Sequence, residues 1–508
     1  MMPLEQVLEG VGPLSVSGPQ DGEILHMTFD SRLAKPQSVF FTLPGALTDG
    51  NRYVRQAIEK GAVAVLSELQ LPPAPIALVR PGTLARSITW VQVRDVFTAM
   101  GRAAANFYRD PSADMRIVGI TGTNGKTTTA YFLEAIFSRA GGVPGVIGTV
   151  SHRLRHRRIE TAANTTPFSL DLQRLLARMR DGGGTHAVME ISSHALATKR
   201  ADEIHYDAAV FTNLQSDHLD FHKSRKQYFD AKARLFELLE RADSRKETRV
   251  AVLNRDDETY ERLRHRISEL SVVSYGFGPE SDYIAEGAAY SLEGTMFRIR
   301  RKDDVLAVRL HLLGEHNVRN ALAAAACAAE LGVEPRAIAE GLDSVKSVPG
   351  RLEPVRAGQG FSVLVDYAHT ESALESTLAS LRALPHRKII TVFGCGGDRD
   401  ASKRGPMGVA ACSASDLAIA TSDNPRGEDP MAILREIEDG LRQRGCENYR
   451  IVPDREEAIL EAMRFAQQGD IVLIAGKGHE KKQILRDRTI TFDDAEIART
   501  ALKDSGKI

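Results

Sequence analysis

Gly119-Ile120-Thr121-Gly122-Thr123-Asn124-Gly125-Lys126-Thr127-Thr128-Thr129 decides how the rest of the chain is read. Before it stands Met115-Arg116-Ile117-Val118, an apolar run that predicts a buried strand. After it, Leu133, Ile136, Phe137 and Ala140 share one face of a helical pattern that Gly141 and Gly142 stop. Strand, glycine-rich turn and helix start together aim backbone N–H groups and the positive helix end at one point, which suits phosphate. Lys126 is placed to reach the outer phosphates, and Thr127 offers a hydroxyl to a magnesium ion. The strict G-x-x-x-x-G-K-[ST] spacing is not met, because Ile120 holds the first glycine position. Gly-Thr-Asn-Gly-Lys-Thr is a tighter variant, and the flanking strand and helix favour a nucleotide loop over an ordinary turn.

At 508 residues the chain exceeds one ordinary core, and three domains are expected. A hydrophobic share of 43% with 26% charged residues fits a soluble globular protein. A formal net charge of −1 argues against holding nucleic acid by bulk electrostatics. Four cysteines, Cys327, Cys395, Cys412 and Cys446, contain no C-x-x-C pair and are read as reduced thiols. Met1 to Gly10 lacks the basic start and apolar run of a signal peptide. Ala321 to Leu331 is too short to cross a bilayer and reads as a buried helix. The expectation is a cytoplasmic protein that binds no membrane.

The first unit, residues 1–112, mixes short strands and helices and ends at Asp110-Pro111-Ser112. Asp30-Ser31-Arg32 and the Gly45–Arg52 loop read as surface turns from spacing alone, and Pro72-Pro73-Ala74-Pro75 is a further breaker. The second unit, 113–347, repeats one event, an apolar run ending abruptly in polar residues. Such runs end at Glu190-Ile191-Ser192-Ser193-His194, at Thr212 to His218 and at Asn254-Arg255-Asp256-Asp257. The third unit, 348–508, repeats it at Asp366-Tyr367-Ala368-His369, Gly394 to Asp400, Thr421 to Arg426 and Gly476-Lys477-Gly478-His479-Glu480. Runs alternating with helical segments imply α/β architecture: a central, mostly parallel phosphate-loop sheet and a C-terminal Rossmann-like sheet, with ligands at the strands' carboxyl ends. The basic run at 152–158 has no interleaved aromatics and reads as a solvated hairpin.

Phosphoryl chemistry needs magnesium, which takes a few carboxylates plus waters and phosphate oxygens. Glu190 is the best-placed carboxylate, with Asp217 and His218 next. Lys232 falls on a helical stripe with Tyr228, Phe229, Leu235 and Phe236. It either snorkels to water, which is the ordinary outcome, or meets a fixed anion, or is held neutral by desolvation. A neutral amine reacts with carbon dioxide to give a carbamate, an oxygen ligand for a metal. Spacing does not choose among these.

With these residues in view the chain resembles the muramyl (Mur) ligases, the ATP-dependent amide ligases of peptidoglycan precursor synthesis. It is most similar to the members that add 2,6-diaminopimelate. The likeness spans the chain, from Asp30-Ser31-Arg32 through Asn164-Thr165-Thr166-Pro167, Tyr228–Phe236, Leu313–Asn320 and Pro349-Gly350-Arg351 to Asp423-Asn424-Pro425-Arg426 and Gly476–Glu480. The resemblance implies an ATP site of Gly122, Thr123, Asn124, Gly125, Lys126, Thr127, Thr128, Asn317, Arg351 and Asp366. It implies magnesium held by Thr127, Glu190, His218 and Lys232, the last as a carbamate, with Lys126, Lys232, His218 and His369 in catalysis. Ser31, Arg32, Thr165, Thr166, Ser192 and Arg200 would bind UDP-N-acetylmuramoyl-L-alanyl-D-glutamate. Arg399, Asp423, Asn424, Arg426, Gly476 and Glu480 would bind meso-diaminopimelate. Thr198, Glu371 and Gly405-Pro406 depart from the family pattern, and none removes a charged participant.

The implied reaction turns the D-glutamate γ-carboxylate into an acyl phosphate that the amine then attacks. Domain closure about Pro349-Gly350 would assemble the site, in a protein expected to be a monomer. A lysine-adding or folate-polyglutamating ligase is the rival within enzymes. The Asp423–Arg426 run argues against the first and the first-domain motifs against the second. A GTP switch is disfavoured because no N-K-x-D element is present.

Overall fold

The computed structural model describes residues 1–45, 48–70, 88–162, 164–215 and 217–504. Pro72-Pro73-Ala74-Pro75, part of the Gly45–Arg52 loop and Ser216 lie outside them. Three main sheets follow one another along the chain. The first runs Ser15–Ser17, Thr89–Gln92, Ala62–Ser67, Ser38–Phe41, His26–Thr28, parallel except for its first pair. Strand alternation sends Val39, Phe41, Ala64, Leu66 and Val91 to the face under helix Val96–Tyr108. Phe40, Val65 and Trp90 go to the other face.

The second sheet has eleven strands. Its parallel centre is Pro144–Ile147, His186–Glu190, Arg116–Thr121, Ala208–Phe211, Val250–Asn254, Ser271–Gly276 and Tyr283–Ser291, extended by antiparallel strands at both ends. Both faces are covered, so these strands are near-continuous apolar runs. Val118, Ile120, Val188, Val210 and Val252 fill one core, and Ile117, Ala187, Met189, Ala209, Phe211 and Leu253 the other. From Arg116–Thr121 the chain leaves toward one side of the sheet, and from His186–Glu190 it crosses to the other. These adjacent strand ends therefore form a topological switch point, where open α/β sheets place ligands.

Helix Lys126–Arg139 packs on the sheet beside helices Glu315–Glu330 and Pro335–Ser344, which also contact it. Leu133, Ile136 and Phe137 are buried as their spacing predicts, but Ala140 is the exposed C-cap. The helix ends before Ala140 turns inward. Ala321 to Leu331 is buried in Glu315–Glu330 and its cap. The basic run does form a hairpin, His152–Leu154 with Arg157–Glu160, through a turn whose residues Arg155 and His156 have φ 52 and 61. It is not wholly solvated. His152 and Arg153 are buried, because the hairpin extends the sheet and Glu134 of the loop's helix supplies an ion pair to Arg153 at 2.7 Å.

The third sheet is ordered Glu353–Pro354, Ser362–Asp366, Ile471–Ala475, Ile389–Cys395, Leu417–Ser422, Tyr449–Ile451, parallel after its first pair. Arg455 and Asp494 are fully buried beneath it as an ion pair at 2.7 Å, and Arg455 also donates to the carbonyl of Ala475, the last residue of its strand. Among the described residues no helix is long and apolar enough to cross a membrane.

Removing one partner of such a pair strands a charge in the core. Asp494→Ala is expected to destabilise the protein by about 3–5 kcal/mol, read as a lowered urea midpoint. An unchanged midpoint would show that the pair is dispensable.

Candidate active site

The glycine turn is shaped by sterics. Gly122 and Gly125 have φ 147 and 90, and a Cβ on either would press into Thr212 Oγ1 or Asn320 Oδ1. The strand end after Ala208–Phe211 holds the turn open: Thr212 Oγ1 donates to Asn124 O at 2.6 Å, and Asn124 N donates to Asn213 Oδ1 at 3.0 Å. Lys126 Nζ folds back to donate to Gly122 O at 2.8 Å and Thr123 O at 2.9 Å. Burial lowers its pKa, opposed by the charge of Glu190. A phosphate in this turn would replace those carbonyls with a full negative charge.

Glu190 closes the switch point. Its Oε2 accepts from Thr127 Oγ1 at 2.8 Å and Thr149 Oγ1 at 2.9 Å, and its Oε1 accepts from Thr149 N at 3.0 Å. Gly148 must be glycine for this, since a Cβ there would collide with Oε1. Thr149 was not singled out from sequence, although Val146-Ile147 followed by Gly148-Thr149 is one more apolar run ending in a polar tip.

Lys232 does not snorkel. It is 1% exposed, among Tyr228, Phe229, Leu235 and Phe236, with Nζ 4.4 Å from the Tyr228 ring centroid. Burial, then the charge of Lys126, pushes its amine well below the ordinary lysine range. His218 stands nearby with φ 54, its Nε2 3.5 Å from Asp217 Oδ2; desolvation, opposed by the charge of Asp217, lowers its pKa although the side chain is 45% exposed. The described residues contain no ready-made group of three or more His, Cys, Asp or Glu for a metal. Thr127, Glu190 and His218 line one cleft, and a magnesium ion bound there would be completed by waters and phosphate oxygens.

A cleft of about 440 Å³ opens over the turn and collects Lys126, Thr127, Thr128, Glu190, His218, Asn317, Arg351, Asp366 and His369. Asn317 Nδ2 donates to Leu313 O at 2.8 Å, and Asn317 Oδ1 accepts from Asn320 at 3.1 Å, which fixes the amide. Arg351 Nη2 lies 3.5 Å from Thr127 Oγ1, so the third unit already reaches the phosphate turn. Asp366 accepts from Leu352 N at 2.7 Å and Ala368 N at 2.9 Å, while burial raises its pKa. Burial, then Lys403, lowers that of His369. Gly350 packs closely on the Gly478–His479 backbone, and its carbonyl accepts from Tyr367 N at 2.8 Å, so it is anchored to the third sheet.

A second cleft, about 1200 Å³, is lined by Arg399, Asp423, Asn424, Arg426, Gly476 and Glu480. It shares Gln215, Asp217, His218, Tyr367 and His369 with the first. The two rows of strand ends thus face one another across a common wall. Arg426 Nη1 donates to Gly397 O at 2.8 Å, which orients the guanidinium. Asn424 is committed inward, its Nδ2 donating to Glu480 at 2.8 Å. Sequence reasoning passed over Tyr367, whose ring lies against His369 and His479 at 4.6 and 4.9 Å in that shared wall.

Thr165, Thr166, Ser192 and Arg200 gather beside Glu190. Thr165 Oγ1 is 3.1 Å from Thr149 Oγ1, Thr166 Oγ1 donates to Glu190 O at 2.8 Å, and Ser192 N donates to Thr166 Oγ1 at 3.0 Å. Arg200 donates to Thr166 O and stacks 4.2 Å from the Phe168 centroid. Ser31 and Arg32 are not in that cluster. Ser31 Oγ donates to Gln56 at 2.6 Å, and Arg32 is exposed and paired with Asp30. Phe29, whose ring lies 5.2 Å from Phe168, connects their turn to it.

A phosphate turn and a charged second cleft that share a wall are the layout of a nucleotide-using enzyme with a second ligand site beside the first. The chain belongs to the Mur ligase family. Residues 120–328 match the Mur ligase middle domain and 350–478 the Mur ligase, glutamate ligase domain. It is 44% identical to the UDP-N-acetylmuramoyl-L-alanyl-D-glutamate--2,6-diaminopimelate ligase of Solibacter usitatus (strain Ellin6076), over 95% of this chain and 94% of that one. It is 42% identical to the protein of the same name from Geobacter metallireducens, over 99% of each. A solved structure bearing that name superposes with TM-score 0.67 at 30% identity, over 98% of this chain and 99% of the other.

His186, His316 and His479 are each held at about 4 by burial, below the ordinary 6.5. The unfolded chain therefore takes up these protons first. Their stability is complete above about pH 6.5 and is lost as pH falls toward 4, by up to ~1.4 kcal/mol per pH unit for each group. Urea midpoints are expected to be lower at pH 5 than at pH 7.5. Equal midpoints would contradict the burial of these rings.

Proposed function

We propose that this chain is the ATP-dependent ligase that joins meso-2,6-diaminopimelate to the D-glutamate γ-carboxylate of UDP-N-acetylmuramoyl-L-alanyl-D-glutamate, in cytoplasmic peptidoglycan precursor synthesis. The observation that carries this is the wall common to the phosphate cleft and the charged second cleft. An acid activated on one side can be reached by an amine from the other. Residues 1–112 with the Thr165–Arg200 cluster would hold the UDP-linked dipeptide, 113–347 the ATP and 348–508 the incoming amino acid. The protein is taken to act as a monomer.

The γ-carboxylate oxygen attacks the γ-phosphorus of ATP, ADP leaves, and an acyl phosphate remains. The diaminopimelate amine attacks its carbonyl carbon, loses a proton, and phosphate departs from the tetrahedral intermediate to leave the amide. Two anions must meet in the first step, so positive charge at the transferring phosphoryl group is the largest demand. Lys126 and Arg351 supply it from two sides. Bound magnesium, held by Thr127, Glu190 and His218, would neutralise phosphate charge. Lys232 is suited to carbamylation, since its buried amine is favoured in the neutral form that attacks carbon dioxide and releases a proton. The carbamate would add an oxygen donor beside His218. Asp366 and His369 would border the transferring group from the third unit.

Lys126→Ala is expected to reduce ADP formation by ~10²–10³. Retention of near-full turnover would show that the phosphate turn is misassigned.

Arg426 favours diaminopimelate over lysine. With Nη1 tied to Gly397 O, its remaining N–H donors are left for the distal carboxylate, which lysine lacks. Sites built to bond a group reject analogues without it by ~10⁴ or more. In a competition assay diaminopimelate is expected to be ligated with that order of preference, and equal use of lysine would refute this assignment.

A further inference from the structure

We infer that Lys477 orients Glu480 and thereby sets the grip of the second cleft on the ammonium end of its amino acid. This rests on the reading of that cleft as the amine site. Lys477 follows strand Ile471–Ala475, immediately after Gly476 with φ 112, and its side chain turns inward until it is 0% exposed. Its Nζ donates to Asn424 Oδ1 at 3.0 Å and to Glu480 Oε2 at 3.2 Å. Asn424 completes the triangle, with Nδ2 donating to the same Oε2 at 2.8 Å and Oδ1 accepting from Ile484 N at 2.9 Å.

Both protein donors converge on Oε2. Among the described residues none bonds Oε1, and Glu480 lines the cleft with its side chain 32% exposed. One carboxylate oxygen is therefore spent on the protein and the other is presented to the cleft as an acceptor for an ammonium group. A buried ammonium is tolerated only with a partner charge, and Glu480 provides it. Lys477 lines neither cleft, so it acts on the ligand through Glu480 and is a positioning residue. It also fixes which way round the Asn424 amide stands, because Oδ1 is turned to Nζ and Nδ2 to the carboxylate.

The test compares Lys477→Met, which keeps the length and removes the charge, with Glu480→Gln and the double variant. Steady-state KM for diaminopimelate and for ATP is measured together with the ADP burst formed before amine is added. Lys477→Met is expected to raise KM for diaminopimelate about 10- to 100-fold and to leave KM for ATP and the burst within about twofold. The double variant is expected to be no worse than Glu480→Gln alone, the non-additivity of residues acting as a unit. An unchanged KM for diaminopimelate, additive losses, or an equal loss of the ADP burst would overturn the inference. If Lys477→Met fails to fold by its thermal transition, Lys477→Gln, which is uncharged and too short to reach Glu480 but offers the core a polar group, carries the same comparison with the same expected and overturning results. Wild-type protein that ligates no diaminopimelate would sink the proposed function instead, so the two failures are distinguishable.

Discussion

The carboxylate of Glu190 receives hydrogen bonds from Thr127 and Thr149, and so ties together three strand ends of the central sheet. The phosphate turn, the Gly148-Thr149 tip and the end of His186–Glu190 are held in one register by a single acceptor pair. Cross-strand bonds alone would fix the strands but leave their tips free. Through this carboxylate the tips become one surface, with Thr165 bonded to Thr149 and Thr166 bonded to the Glu190 backbone on its flank. The phosphate turn and the Thr165–Thr166 flank are therefore built on the same few atoms.

The second constraint is the face-to-face setting of two open sheets. Each sends its functional residues to its own carboxyl edge, as parallel α/β topology requires. Only their mutual placement makes a reaction of it. Ser372 Oγ donates to Gln215 at 3.3 Å and Arg351 reaches Thr127, so contacts between the units include the cleft that both line. Asp217, His218, Tyr367 and His369 then belong to both clefts.

Much of this was legible in the sequence because strand ends announce themselves: an apolar run that stops at Glu190, Asp366, Asp423 or Gly476 is visible without coordinates. What was not legible depended on distant partners. By spacing alone Lys232 could reach water, meet an anion or lie neutral, and the packing of Tyr228 and neighbouring elements shuts it in. Arg153 read as solvated until Glu134, nineteen positions earlier, was seen to meet it. Thr149 and Lys477 do sit at such tips, but their type and spacing do not give their roles, since a threonine after a glycine and a lysine in a glycine-rich tip are usually surface residues. Their roles come from which acceptor lies opposite, a tertiary fact.

Gly350 has a consequence for motion. Its close approach to the Gly478–His479 backbone ties Arg351 to the third sheet, although that guanidinium points at the phosphate turn of the second. A swing that uncovered the second cleft would carry a cation away from that turn in the same stroke. Opening and electrostatic disarming would then be one mechanical event, and a gaping enzyme a poor one at squandering ATP.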